Sequence, residues 1–192
     1  MRVEKKIKNI KKNKVNLLQR DDYMVKVSEK FEKILVKTTK GDLTLPDDFA
    51  GKWFVLFSYP SDFTSVCSTE IADFAKKVDD FEELDCSLIG ISLNDLDSHM
   101  KWIEDLDNKY DVKITFPLIS DEDKKISEKL GILYSKNNDF TIRSAFVIDS
   151  NGEVRASLHY PPEIKRNVDE VLRIITNLQK VDRTNIATGC NS

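Results

Sequence analysis

The stretch Trp53-Phe54-Val55-Leu56-Phe57-Ser58-Tyr59-Pro60-Ser61-Asp62-Phe63-Thr64-Ser65-Val66-Cys67-Ser68-Thr69-Glu70 decides how this chain folds. Its first five residues form a continuous apolar run, which predicts a central strand buried on both faces. Beyond the loop, Ile71, Phe74, Val78, Phe81 and Leu84 recur at intervals of three and four, the pattern of a helix with one apolar face. Cys67 sits where that helix begins. A sulfur there meets the positive end of the helix dipole and backbone N–H groups that have no partner inside the helix. Both favour the thiolate, which is the nucleophilic form of cysteine.

Working outward, residues 31–38 alternate weakly as a strand, Lys40-Gly41-Asp42 makes a turn, and Leu43 with Leu45 restarts the alternation before Pro46. Residues 86–93 read as a second buried strand, and Leu96, Met100, Ile103 and Leu106 mark a helix over 96–106. A short strand containing Pro117 covers 114–119, and a short helix then ends at Gly131. Residues 141–148 and 153–160 flank Asp149-Ser150-Asn151-Gly152, where Asn-Gly marks a hairpin. A last helix places Val168, Val171, Leu172, Ile175 and Leu178 on one face. Alternating strands and helices, then a hairpin and a helix, predict a three-layer α/β arrangement of the thioredoxin type around a central mixed sheet.

At 192 residues, 40% hydrophobic and 33% charged, the chain suits one globular domain, and no apolar run approaches a membrane span. The net charge of −3 is unevenly spread: residues 1–20 hold eight Lys/Arg against Glu4 alone, so the body is acidic and ill suited to a phosphate backbone. The expected organisation is a basic, disordered extension over 1–23, a domain over 24–180 and a short tail over 181–192. For the extension two functional alternatives to a solvated arm stand open, a nucleic-acid contact and an anionic membrane contact, and Met24 offers an alternative start.

Cys67, Cys86 and Cys190 cannot all pair within one chain, and their spacing matches neither a zinc site nor a Cys-x-x-Cys pair. With two histidines, His99 and His159, no metal is expected, and no cofactor. Few cysteines and no secretory leader suit a reducing cytoplasm. Cys86 opens a buried strand and is expected to act as a small core hydrophobe. His99 is expected at the surface, His159 at a strand end, and Trp53 and Trp102 in the packing.

One reaction open to such a sulfur is the reduction of a peroxide, which needs a thiolate, a fixed cation beside it, and donors aimed at the charge that builds on the leaving oxygen. Thr64 offers a hydroxyl to bond the peroxide or orient the sulfur, and Pro60, which has no N–H, shapes and shields the pocket. Arg143 enters the otherwise apolar 141–148 strand and needs a partner: Glu70 and the Cys67 thiolate are the candidates, an exposed strand end the alternative.

Pro60-x-x-x-Thr64-x-x-Cys67 resembles the active-site loop of the peroxiredoxins, the thiol peroxidases. The resemblance spans about residues 28 to 180. It is strongest to the one-cysteine and archaeal-type branch through Thr38-Thr39-Lys40-Gly41, Gly51-Lys52-Trp53-Phe54-Val55-Leu56-Phe57-Ser58, Tyr160-Pro161 and Arg166-Asn167-Val168-Asp169-Glu170-Val171-Leu172-Arg173. It implies that Cys67 is the peroxidatic cysteine, cycling through a sulfenic acid, with Pro60 and Thr64 as loop partners. It further implies that Arg143 holds peroxide and thiolate, that Glu70 orients Arg143, and that Arg166 is a second arginine near that network. Tyr59 stands where the one-cysteine branch commonly has histidine, Ser65 replaces a frequent proline and Ser68 a frequent threonine or proline.

The implied substrates are hydrogen peroxide and alkyl hydroperoxides, the reductant a thioredoxin-like protein or a small thiol, and the assembly a homodimer, with a ring of dimers as the larger form. Cys190 is either a resolving cysteine or an incidental exposed thiol, its Gly-Cys-Asn-Ser setting differing from the usual Val-Cys-Pro. A redox sensor or holdase chaperone using the same cysteine is the alternative function.

Overall fold

A computed structural model describes residues 25–134 and 139–184. The basic extension and Cys190 lie outside the described residues.

The strand over Trp53–Ser58 (β3) is fully buried, and its side chains alternate between two cores as a pleated strand requires. Val55 and Phe57 face one cluster; Phe54 and Leu56 face another on the opposite side. Around β3 run, in chain order, β1 (Ile34–Thr38), β2 (Gly41–Leu45), β4 (Cys86–Ser92), β5 (Leu118–Ser120), β6 (Arg143–Ile148) and β7 (Val154–Tyr160). They form one seven-stranded mixed sheet in the order β2-β1-β5-β4-β3-β6-β7. β3 pairs parallel with β4, and β4 with β5, across helical crossovers, whereas β6 lies antiparallel to both β3 and β7.

The first face is covered by α1 (Ser65–Lys76), α2 (Val78–Glu83), α3 (Leu96–Tyr110) and α5 (Val168–Thr184). They contribute Ile71, Phe74, Phe81, Trp102, Leu106, Val171 and Ile175. The other face is closed by Phe31, Leu45, Phe49 and the short α4 (Lys125–Lys129) through Ile126. These three layers around a mixed sheet are the thioredoxin-like α/β arrangement expected. The last helix runs to Thr184, past the position where the tail was expected to begin.

Three local expectations are corrected. The helix after the loop is two helices: Lys77 leaves helical geometry at φ −109°, ψ 7° and ends α1, although the apolar spacing runs unbroken through Phe81. The strand expected over 114–119 begins at Leu118, because Pro117 brings no N–H to a ladder. Helix α3 buries His99, Trp102 and Leu106, while Met100 stays 54% exposed. Its inward stripe therefore runs through a histidine, and the expected surface position of His99 is wrong.

Candidate active site

Cys67 is the third residue of α1 and is fully buried, as is Glu70 one turn later on the same helix face. Thr64 ends the loop in extended geometry as the N-cap residue, its carbonyl accepting from the Ser68 N–H at 2.9 Å. Arg143 begins β6 where that strand passes the end of β3. Its strand end is tied to the loop by the Ser58 hydroxyl donating to the Ile142 carbonyl (2.6 Å) and the Thr141 hydroxyl donating to the Tyr59 carbonyl (2.8 Å).

The Arg143 guanidinium is buried and spends its fork on three partners. Nε donates to the Pro162 carbonyl (2.8 Å), one terminal nitrogen to Glu70 Oε2 (2.8 Å), and the other points at Cys67 Sγ at 3.4 Å. Arg166, also buried, lies two residues before α5. Its backbone N–H, Nε and one terminal nitrogen donate to Glu70 at 2.7, 3.0 and 2.7 Å, and the other terminal nitrogen donates to the Ser144 carbonyl. The Arg166 guanidinium also rests over the Phe57 and Phe74 rings, at 5.4 and 5.7 Å.

Glu70 thus accepts four hydrogen bonds from two arginines, with no water-facing surface. Two buried cations against one buried carboxylate leave one positive charge in surplus. A thiolate on Cys67 is the group placed to neutralise it.

A cleft of about 490 Å³ opens over this cluster, with Pro60, Thr64, Val66, Leu93, Phe140 and Arg143 in its wall. Pro60, Thr64 and Arg143 thus share one cleft wall, with the Cys67 sulfur 3.4 Å from Arg143. The Thr64 hydroxyl donates to the Ser61 carbonyl (3.1 Å) and does not touch the sulfur.

Tyr59 is in the core, its hydroxyl 3.3 Å from His99 Nδ1, and burial first, then the Asp62 carboxylate, pushes its phenol well above the ordinary tyrosine range. Cys86 is buried at the start of β4, and burial pushes its thiol up to about 12, so it stays protonated and unreactive. Among the described residues no cluster of three or more His, Cys, Asp or Glu side chains is placed to hold a metal, and no helix is long and apolar enough to cross a membrane.

Three neighbours of the site escaped the sequence reading: Asp62, His99 and the Ser68–Trp102 contact, in which the indole N–H donates to the Ser68 hydroxyl at 3.2 Å. The signal was the spacing of His99, Trp102 and Leu106 by three and four, an alternative inward stripe on the same helix.

The chain is similar to known proteins in both sequence and fold. The sequence profile of the AhpC/TSA family matches residues 27–157. A peroxiredoxin of Hyperthermus butylicus is 48% identical over 86% of this chain and 71% of its own length. One of Methanocaldococcus jannaschii is 44% identical over 86% and 77%. Among solved structures, a mutant of peroxiredoxin 6 of Arenicola marina superposes with a TM-score of 0.83 at 30% identity, covering 88% of this chain and 80% of that one. A yeast mitochondrial 1-Cys peroxiredoxin gives 0.82 at 34% identity, covering 88% and 83%. The chain belongs to the AhpC/TSA family, the peroxiredoxins, and is a thiol-dependent peroxidase.

Proposed function

We propose that Cys67 is the sulfur through which this peroxidase works. Its thiolate attacks one peroxide oxygen, a sulfur–oxygen bond forms, the O–O bond breaks, and the leaving hydroxide or alkoxide takes a proton to become water or an alcohol. Cys67 is left as a sulfenic acid, which two thiol equivalents return to the thiol with formation of a disulfide and water.

Arg143 holds the thiolate and meets the charge that develops on the peroxide oxygens. Glu70 and Arg166 fix the direction of its fork. Thr64 turns its hydroxyl from the Ser61 carbonyl toward bound peroxide, and Pro60 walls the cleft without adding a donor. The observation that carries this reading is the guanidinium nitrogen 3.4 Å from the sulfur at a helix N-terminus.

The cleft, with Val66, Leu93 and Phe140 in its wall, leaves room for an organic tail as well as hydrogen peroxide. The reductant is a thioredoxin-like protein or a small thiol, with Cys190 as resolving cysteine in the former case. The working assembly is a homodimer or a ring of dimers, and the location cytoplasmic, in keeping with the cysteine content.

Replacing Cys67 by serine abolishes peroxide consumption with any thiol donor. Retained turnover in that variant would refute the assignment.

A further inference from the structure

Beneath the Cys67 loop lies a second buried polar unit that the peroxidase reading does not use. The Asp62 and His99 side chains have no exposed surface. His99 Nδ1 faces the Asp62 carboxylate at 2.9 and 3.1 Å, and its Nε2 faces the Ile119 carbonyl oxygen at 3.1 Å. A carbonyl oxygen can only accept, so Nε2 must carry a proton. The neutral ring has one N–H, and its other nitrogen would then turn a lone pair toward the carboxylate. With Asp62 ionised, only the doubly protonated ring satisfies both contacts. The remaining partners fit that form: the Ser98 hydroxyl donates to Asp62 at 2.7 Å, and the Tyr59 oxygen lies 3.3 Å from Nδ1.

We infer that His99 is an imidazolium paired with the Asp62 carboxylate, and that this buried pair positions the loop carrying Pro60 and Thr64 for peroxide reduction at Cys67. The pair bridges three elements: Asp62 belongs to the loop, His99 to α3, and the Ile119 carbonyl to β5. The loop needs holding, because Phe63 beside Asp62 takes φ +57°, a region costly for a bulky side chain, and is itself 55% exposed. The Asp62 N–H is fixed in turn by the Asn94 side chain at 3.1 Å.

The groups facing the pair are Tyr59 from the end of β3, with Ser92 of β4 against its phenol, the Ile119 carbonyl from β5, and Ser98 from α3 itself. Among the described residues no lysine or arginine bonds to either member, so each is the other's counter-ion. Asp62 and Cys67 both lie within electrostatic reach of the Tyr59 phenol. Tyr59 is thus the group through which an Asp62 carboxylate stripped of its cation reaches the surroundings of the sulfur. His99 and Asp62 are positioning residues; neither touches the reacting atoms.

The inference about the loop rests on Cys67 being the reacting sulfur, and the test separates the two. Nitrogen-15 NMR of reduced, histidine-labelled protein at about pH 8 reads the ring protonation directly. The chain has two histidines, so His99→Gln assigns the signals. Both His99 ring nitrogens are expected in the protonated range, while His159, whose ring is pushed below the ordinary range by partial desolvation, reads as a neutral tautomer. A neutral His99 overturns the inference, whatever Cys67 does.

Alkylation of Cys67 and its single-turnover oxidation are then followed against pH in His99→Gln, Asp62→Asn and the double variant. His99→Gln is expected to move Cys67 alkylation to higher pH and slow oxidation about tenfold or more. The double variant, uncharged at both positions, is expected to return the alkylation profile toward wild type, which a merely structural role would not do. Superimposed profiles for His99→Gln and wild type overturn the positioning role. Should His99→Gln not fold, the double variant against Asp62→Asn and the wild-type NMR readout still decide. Failure of wild-type Cys67 to oxidise at all would instead refute the assignment of the sulfur, leaving the NMR result standing.

Discussion

Replacing Arg143 by lysine keeps the charge and removes the fork, which isolates what geometry contributes. The guanidinium reaches Pro162, Glu70 and Cys67 in three separate directions. A lysine ammonium is one point at the end of a flexible stem and cannot hold all three. Glu70 keeps the three bonds from Arg166, so the cluster survives, and the lost bonds cost about 2 kcal/mol of stability.

The kinetic cost is larger in consequence. Losing one aimed donor at a site of developing negative charge removes about 3 kcal/mol of transition-state stabilisation, or roughly a hundredfold in rate. The assay is stopped-flow mixing of reduced protein with hydrogen peroxide, followed through tryptophan emission. Trp102 is buried and bonded to Ser68, next to Cys67, and so senses the oxidation step. The expected second-order constant for Cys67 oxidation falls about a hundredfold while the melting temperature drops only a few degrees. An unchanged constant in a folded variant would show that the fork does no chemistry.

Three further outcomes follow from the buried groups. Glu70→Gln leaves two buried guanidinium groups without their counter-ion and is expected to lose about 3 kcal/mol of stability in urea unfolding, more than Arg143→Lys; equal losses would contradict the charge arrangement. Cys86 titrates near 9.0 when unfolded and at about 12 when folded, so the folded state binds the extra proton and stability falls as pH rises above about 9. Cys86→Ala is expected to lessen that alkaline loss by up to about 1.4 kcal/mol per pH unit, and parallel stability–pH curves would refute it. Trp102→Phe keeps most of the packing but drops the bond to Ser68, so a loss of about 1 kcal/mol is expected by thermal unfolding, together with a weaker oxidation signal; an undiminished signal would place the reporter elsewhere.

The loop and its cysteine were legible because strand, loop and helix are contiguous and their periods differ sharply. Arg143 was legible for another reason: an arginine entering an apolar strand demands a partner, and Glu70 is that partner. Arg166 came only from the family resemblance, since its meeting with Glu70 spans 96 positions of chain and nothing local announces it. His99 was misplaced because α3 offers two apolar stripes, and periodicity cannot tell which polar residue will find a distant carboxylate. That partner, Asp62, sits in a loop whose course is set by tertiary packing. The break at Lys77 was hidden likewise, because Ile71 and Phe74 before it and Val78 and Phe81 after it keep one apolar spacing.

The central claim is that peroxide oxidises the buried sulfur beside Arg143. Reduced protein should be treated with one equivalent of hydrogen peroxide, trapped with a sulfenic-acid reagent or left to form disulfide, and mapped by peptide mass. The account predicts modification at Cys67, as a trapped sulfenic acid or a disulfide, with Cys86 still a free thiol. Peroxide consumed while Cys67 remains an unmodified thiol would contradict it.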